Sequence, residues 1–228
     1  MSKTTRSIVI GAVCAVVVVA AGVGALVMRG GAKGVATSGA TTTPSKVVVV
    51  FAMAGEDNAV TAQLVATVDY ATGRYELTET STTVSIPGTS YTALRDAYPF
   101  GGAEGVAAAL AAGKVEAGTA WVDVSPQAWE GLLGQGFDTT MTEAFDTFDD
   151  LTDHYSEFVV GPQHVAVEDL RGLVNGLPYL GAEARASAMA DLAAASMRAL
   201  KAARPVAGIE TDLNPEQWTA FTGALGGG

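Results

Sequence analysis

The sequence predicts an α/β domain, a mixed and largely antiparallel central sheet flanked by helices, preceded by one N-terminal transmembrane helix. Three observations carry this. Lys46 to Ala54 (KVVVVFAMA) is an almost unbroken apolar run, expected of a strand covered on both faces. Gln63 to Tyr70 and Arg74 to Val84 flank Ala71-Thr72-Gly73, a short glycine-containing connection that suits an antiparallel hairpin. From Thr92 onward the chain reads mainly as helices, with one further strand among them.

Ile8 to Met28 is 21 residues without a charge. At about 1.5 Å per residue it can cross roughly 30 Å of hydrocarbon. The apolar core of a cleaved signal peptide is usually shorter, about 7 to 15 residues, so the span reads as an uncleaved anchor. Residues 1–7 form a short tail placed in the cytoplasm by a slight positive-inside preference, since Lys3, Arg6 and the terminal amine precede the span while Arg29 and Lys33 follow it. Residues 29–45, rich in Gly, Ala, Ser and Thr, read as a flexible linker. Residues 46–228 are then one extracytoplasmic domain, and the chain is a single-pass protein of the cell membrane.

The formal charge is -11, and all 24 acidic residues lie beyond Arg29 against 10 of the 13 basic ones, a net of -14 there. Such a surface repels phosphate backbones, which argues against nucleic acid as a partner. The only cysteine, Cys14, lies in the apolar span, so the domain has neither thiol chemistry nor a disulfide.

Along the domain, Ile86-Pro87-Gly88 imposes a turn after the hairpin. Thr92 to Tyr98 suits a short helix, and Gly101-Gly102 leads into an Ala-rich helix from Ala103 to Ala112 that Gly113 can end. Thr119 to Val124 (TAWVDV) is a strand, followed by Ser125 as N-cap and Pro126 in the first turn of a helix ending near Gly134. Thr139 to Phe158 carries Met141, Phe145, Phe148, Tyr155 and Phe158 at helical spacing, with Glu143, Asp146, Asp150, Asp153 and Glu157 opposite, and is predicted as one amphipathic helix. Val165 to Val174 and Ala182 to Ala203 give two more helices, and Asn214-Pro215 caps a last short one.

The anchor, the linker, VVVVFAMAG, the hairpin, IPGTSY and RDAYPFGG together resemble the LytR-CpsA-Psr (LCP) family of bacterial cell-envelope proteins, over most of Lys46 to Leu133 and more weakly over Phe158 to Ala203. The resemblance implies an extracytoplasmic α/β domain that holds a polyprenyl-pyrophosphate lipid in an apolar cavity and, with Mg²⁺, transfers a glycopolymer to peptidoglycan. It also implies arginines and aspartates at set places, and most are replaced here. In the segment leading to the IPG turn, the family's Pro, Arg and Asp fall on Glu79, Thr80 and Ser81. The Asp that begins the second strand falls on Thr61, and the Arg of a Tyr-x-Arg motif falls on Asn175. Of a later Arg-x-x-Arg-Gln motif, Arg185 stands while Ala188 and Met189 take the other places. Asp57 matches an acidic position near the end of the first strand and is the candidate metal ligand.

Pyrophosphate needs cations and Mg²⁺ needs anionic oxygens, which Thr and Ser do not supply. No catalytic residue is assigned. The expected function is therefore a catalytically degenerate envelope module that binds polyprenyl-phosphate lipid, glycopolymer or envelope proteins, and no cofactor is then required. An active phosphotransferase is the alternative. It would use Arg95, Arg185 and Arg74 as a rebuilt anion site, Arg95 lying just before the Gly101-Gly102 turn and its helix N-terminus. A third reading is a protein-interaction domain without a lipid ligand, favoured if no deep apolar pocket separates sheet and helices.

Other constellations have plainer explanations. Arg95 and Arg74 also read as ordinary surface arginines. The acidic residues from Glu143 to Glu157 lack the ligand spacing of a calcium loop and read as a solvated face. His154 and His164 form no metal-ligand pair, and no serine lies in a nucleophile-elbow motif. Trp121 and Trp129 fall in elements expected to be core, while Trp218 could line a carbohydrate or lipid surface.

Overall fold

β1 (Lys46–Ala54) lies inside a mixed sheet in a computed structural model that describes residues 42–55, 59–112, 118–203 and 207–225. The predicted anchor, residues 29–41 of the linker, Gly113 and Asp57 lie outside the described residues. Among the described residues no helix is long and apolar enough to cross a membrane.

The apolar run of β1 is explained by cover on both sides. Val47, Val49, Phe51 and Met53 enter one core, while Val48, Val50 and Ala52 enter a second. Each such fully buried side chain contributes roughly 1.5–3 kcal/mol for a Val or Phe. β2 (Val60–Asp69) pairs antiparallel with β1 through a register shift at Phe51/Ala52, and β3 (Tyr75–Thr78) pairs antiparallel with β2 as an edge. β4 (Thr119–Val124) runs parallel to β1, Val49 opposite Val122, and a short strand at Ile209–Thr211 closes the other edge antiparallel to β4. The sheet is mixed, with three antiparallel pairings and one parallel.

The β2–β3 turn is built by Asp69, whose Oδ1 accepts from the Thr72 amide at 2.8 Å and the Thr72 hydroxyl at 2.7 Å. Gly73 has φ +69, and a Cβ there would overlap the Ala224 carbonyl. The turn therefore needs glycine twice, for the left-handed backbone and for the approach of the C-terminal segment.

α1 (Tyr98–Leu110) follows a 3₁₀ turn at Leu94–Ala97 and covers the Val48 face through Ala103, Val106 and Ala107. It is broken at Gly101 and Gly102, so the helix after the glycine pair begins where the sequence places it. α2 (Pro126–Leu133) has the expected Ser125 cap, its Oγ accepting from the Ala128 amide at 3.3 Å. The opposite face is covered by α2 with three later helices, α3 (Leu170–Gly176), α4 (Ala182–Ala202) and α5 (Pro215–Ala224). Trp129 Nε1 donates to the buried Ser196 Oγ at 2.9 Å, tying α2 to α4. Asn214 and Gln217 form a reciprocal capping box at α5. Trp218 is buried against Phe221 rather than lining a surface.

The largest departure from expectation lies between Phe137 and Val165. In place of one amphipathic helix over 139–158 there are four strands: β5 (Phe137–Met141), β6 (Phe145–Asp149), β7 (His154–Phe158) and β8 (Gly161–Val165). β5 pairs with β8 and β6 with β7, both antiparallel. Period-two burial wins because Phe137, Thr139 and Met141 alternate on one covered face, a spacing no helix face allows, and Asp149 makes a turn its side chain can hold. Asp149 Oδ1 accepts from the Leu151 amide at 3.1 Å, and Asp153 adopts φ 53. The helix expected over 165–174 is shortened for the same reason, since Val165 ends β8. The strand expected over 74–84 stops at Thr78, beyond which only an isolated bridge, Thr83 to Ala93, continues it. The edge strand β9 (Ile209–Thr211) was not signalled, three residues being too short a period to read.

Candidate functional site

The C-terminal end of a parallel strand pair is where an α/β sheet usually carries its chemistry. Here that end of β1 is Gly55, and the group that reaches it is Arg171 from α3. Arg171 Nη2 donates to the Gly55 carbonyl at 2.8 Å, and its Nε stands 2.9 Å from Asp149 Oδ2, out of line for a hydrogen bond but within ion-pair distance. The two side chains are 14% and 8% exposed. Asp149 Oδ2 also accepts from Thr152 Oγ1 at 2.8 Å, so the carboxylate is satisfied from its own turn as well. This buried arginine is committed internally: it binds the β6–β7 turn to the end of β1. Close by in sequence, His154 Nε2 and Asp169 Oδ1 are 2.9 Å apart.

Positions that the resemblance assigns to charged groups gather at the same pole of the sheet. Thr61 pairs with Met53 near the end of β1 and its hydroxyl accepts from Gln63 Nε2 at 2.9 Å. Thr80 and Ser81 follow β3, and the Arg95 amide donates to the Thr80 carbonyl at 2.9 Å. Arg95 thus stands beside Thr80, the position to which the resemblance assigns an arginine. Its side chain is 51% exposed, its Nε 3.8 Å from Asp96.

The helix N-terminus near Arg95 already has an anion. Asp123 on β4 accepts from the Tyr98 hydroxyl at 2.9 Å through Oδ1 and from the Ala103 amide at 3.3 Å through Oδ2. Gly102, at φ +58, would place a Cβ 2.8 Å from that carboxylate. The glycine pair lets the chain turn over Asp123, and the carboxylate meets the amide an external anion would have used. On the next β4 register, Asp212 Oδ1 accepts from the Trp121 amide at 2.8 Å. Burial, with some help from the Glu104 charge, holds the Asp212 carboxyl above its ordinary range despite that hydrogen bond.

The three candidate arginines are not brought together. Arg95 belongs to the segment packed on the Val48 face, Arg185 to α4 on the Val47 face, and Arg74 to the turn at the opposite end of the sheet, next to Asp69 and its partner Lys46. Asp57 lies outside the described residues. Among the described residues no group of three His, Cys, Asp or Glu side chains is arranged to hold a metal ion. The space between β1 and α2, α4 and α5 is filled by Phe51, Trp129, Leu192 and Phe221, each at most 1% exposed. Two shallow depressions lie elsewhere, about 290 Å³ on the β6–β7 ribbon and about 490 Å³ between Asp138, Gln163 and Asp191. Sequence reading missed Arg171 and Asp123. The one signal for Asp123 was its place inside an alternating apolar strand.

These features define an α/β domain whose mixed sheet is packed with apolar side chains on both faces. No protein-family model and no curated protein matches the sequence. Solved structures do match the fold. Bacillus subtilis TagV is 15% identical with a TM-score of 0.52, over 81% of this chain and 80% of TagV. TagT bound to LI-WTA gives 13% and 0.51 over 79% and 73%. Streptococcus agalactiae protein gbs0355 gives 11% and 0.52 over 80% and 74%. TagV and TagT are LCP proteins, and this chain has the LCP-like fold.

Proposed function

We propose that this chain is a single-pass cell-membrane protein with an extracytoplasmic domain that serves cell-wall glycopolymer biology as a binding or accessory module without transferase chemistry. The fold shared with TagV and TagT carries this reading, and the wall teichoic acid bound to TagT supplies the ligand class. The distribution of charge supports the absence of transfer. On the resemblance, Thr61, Thr80 and Ser81 take places assigned to charged groups, and Arg171 is neutralised by Asp149. Phosphoryl transfer rests on positioned positive charge, and each lost contact of that kind typically costs about 100-fold or more.

The test uses the full chain in detergent or nanodiscs with polyprenyl-pyrophosphate-linked glycopolymer and Mg²⁺. Saturable binding without turnover is expected, together with polyprenyl phosphate found by mass spectrometry in protein purified from membranes. With peptidoglycan added as acceptor, sustained release of polyprenyl monophosphate matched by glycopolymer phosphate bound to the peptidoglycan, abolished by Arg95→Ala or Arg185→Ala, would establish the transferase instead. Failure to bind lipid or glycopolymer at all overturns the reading in favour of a protein-interaction domain, which the filled space beneath α4 favours.

A further inference from the structure

The β6–β7 ribbon has one covered face and one bare face. On the covered face Phe158 and Ser156 are buried, and Gly172 and Gly176 of α3 let the helix lie directly on the ribbon: a Cβ at Gly172 would stand 2.7 Å from Ser156 Oγ, and one at Gly176 would overlap the Phe145 ring. On the bare face the cross-strand pairs are Phe148 with Tyr155 and Asp146 with Glu157. Phe148 and Tyr155 are 53% and 56% exposed, too much aromatic surface for a face meant only for water. Asp146 and Glu157 are like charges placed directly opposite, an arrangement that costs stability. No cation offsets it, since neither carboxylate is within ion-pair distance of a Lys, Arg or His among the described residues. Tyr155 donates to Asp146 Oδ2 at 3.0 Å, holding its ring beside the carboxylates at the rim of the 290 Å³ depression that both acids line.

We propose that this face docks an arginine-bearing segment of a partner protein, a guanidinium entering between Asp146 and Glu157 and stacking on Tyr155 and Phe148. A planar cation answers every feature at once: it cancels the like-charge pair, matches the aromatic quadrupole and fits a shallow site. An anionic glycopolymer is repelled by the same two carboxylates. The inference goes beyond the glycopolymer reading and does not depend on it.

The test is titration of the full chain in phosphatidylcholine nanodiscs with a fluorescent Arg-Gly repeat peptide. Asp146→Asn with Glu157→Gln, and separately Phe148→Ser with Tyr155→Ser, are expected to weaken binding by at least about tenfold, the acid variant melting no lower than the wild type because its like-charge pair is gone and the aromatic variant remaining folded at the assay temperature. Glu76→Gln with Glu79→Gln, at acids outside the ribbon, is expected to change nothing. Equal loss in that control, or undiminished binding by the aromatic double variant, would mean diffuse charge attraction and overturn the proposal. So would retention of purified teichoic acid on this face, or self-association of the chain, either one abolished by the same substitutions. If the aromatic variant does not fold, peptide-induced NMR shifts on the wild-type chain decide: shifts confined to residues 145–158 support the site, and shifts centred elsewhere overturn it.

Discussion

Arg171 is paired with Asp149 across 22 residues of sequence, its Nε 2.9 Å from Oδ2, in a place largely shielded from water. The pair joins α3, the β6–β7 turn and, through Gly55, the end of β1. Breaking it leaves the buried carboxylate with only its turn hydrogen bonds and frees the Gly55 carbonyl, so Arg171→Ala is expected to cost about 1–3 kcal/mol in urea unfolding of the solubilised chain. Arg171→Met with Asp149→Leu removes both charges and should recover part of that loss, but not the turn hydrogen bonds of Asp149. A wild-type midpoint for Arg171→Ala would show that the pair is not structural.

Gly176 faces the Phe145 ring at a distance that leaves no room for a methyl group. Gly176→Ala is expected to destabilise by about 1–3 kcal/mol through overpacking, despite the better helix propensity of alanine. The double variant with Phe145→Leu should regain most of it. If thermal melts show Gly176→Ala to be neutral, the ribbon does not rest on α3 in this way.

His164 on β8 is clamped between the Asp138 carboxylate, 2.8 Å from Nδ1, and the Gln135 carbonyl, 2.8 Å from Nε2. Both partners are acceptors and favour the doubly protonated ring, Asp138 most, so its pKa lies above the ordinary 6.5. The stabilising contribution is therefore complete below about pH 6.5 and is lost as pH rises through the folded-state value. An NMR titration of His164 should show the raised midpoint, and Asp138→Asn should move it back toward 6.5. A midpoint that Asp138→Asn leaves unmoved contradicts the assignment.

Asp212 works in the opposite sense. Its folded-state carboxyl is raised above 3.8, chiefly by burial, so the ionised form is a liability at neutral pH that fades as pH falls through that raised value and is gone below about 3.8. Asp212→Asn keeps an acceptor for the Trp121 amide and removes the charge near Glu104. A small stability gain is expected at pH 7, vanishing at pH 3. A loss at pH 7 would mean that the charge itself is needed.

The legible parts of the fold were those in which one local rule acts alone. The unbroken apolar run of β1 has only one reading when both faces are covered, and Ser125-Pro126 and Asn214-Pro215 announce their helices by capping chemistry. Residues 137–165 were misread because Met141, Phe145, Phe148 and Tyr155 satisfy a helical spacing, while the strands are specified by alternation over only five residues each and by the turn at Asp149. The site suffered more. Arg171 looks like any helix arginine until the hairpin that carries Asp149 is in place, and Asp123 acquires its role only when the broken helix at Gly101-Gly102 passes over it. Charges whose partners arrive from distant elements leave no local signature.

The chain enters and leaves the sheet at one end. The Tyr70 amide donates to the Ser45 carbonyl at 3.1 Å beside the start of β1, and the turn at Gly73 rests on Ala224 near the end of the described chain. β1 is hydrogen-bonded to β2 on one side and to β4 on the other. A pull at Ser45 resisted at the far pole, where Arg171 holds Gly55, would therefore load both ladders in shear, with many bonds sharing the force. The same pull resisted at the C-terminal helix would act at the near end and open the sheet one bond at a time. Mechanically, the domain is a rivet when loaded from one end to the other and a zipper when loaded at one end alone.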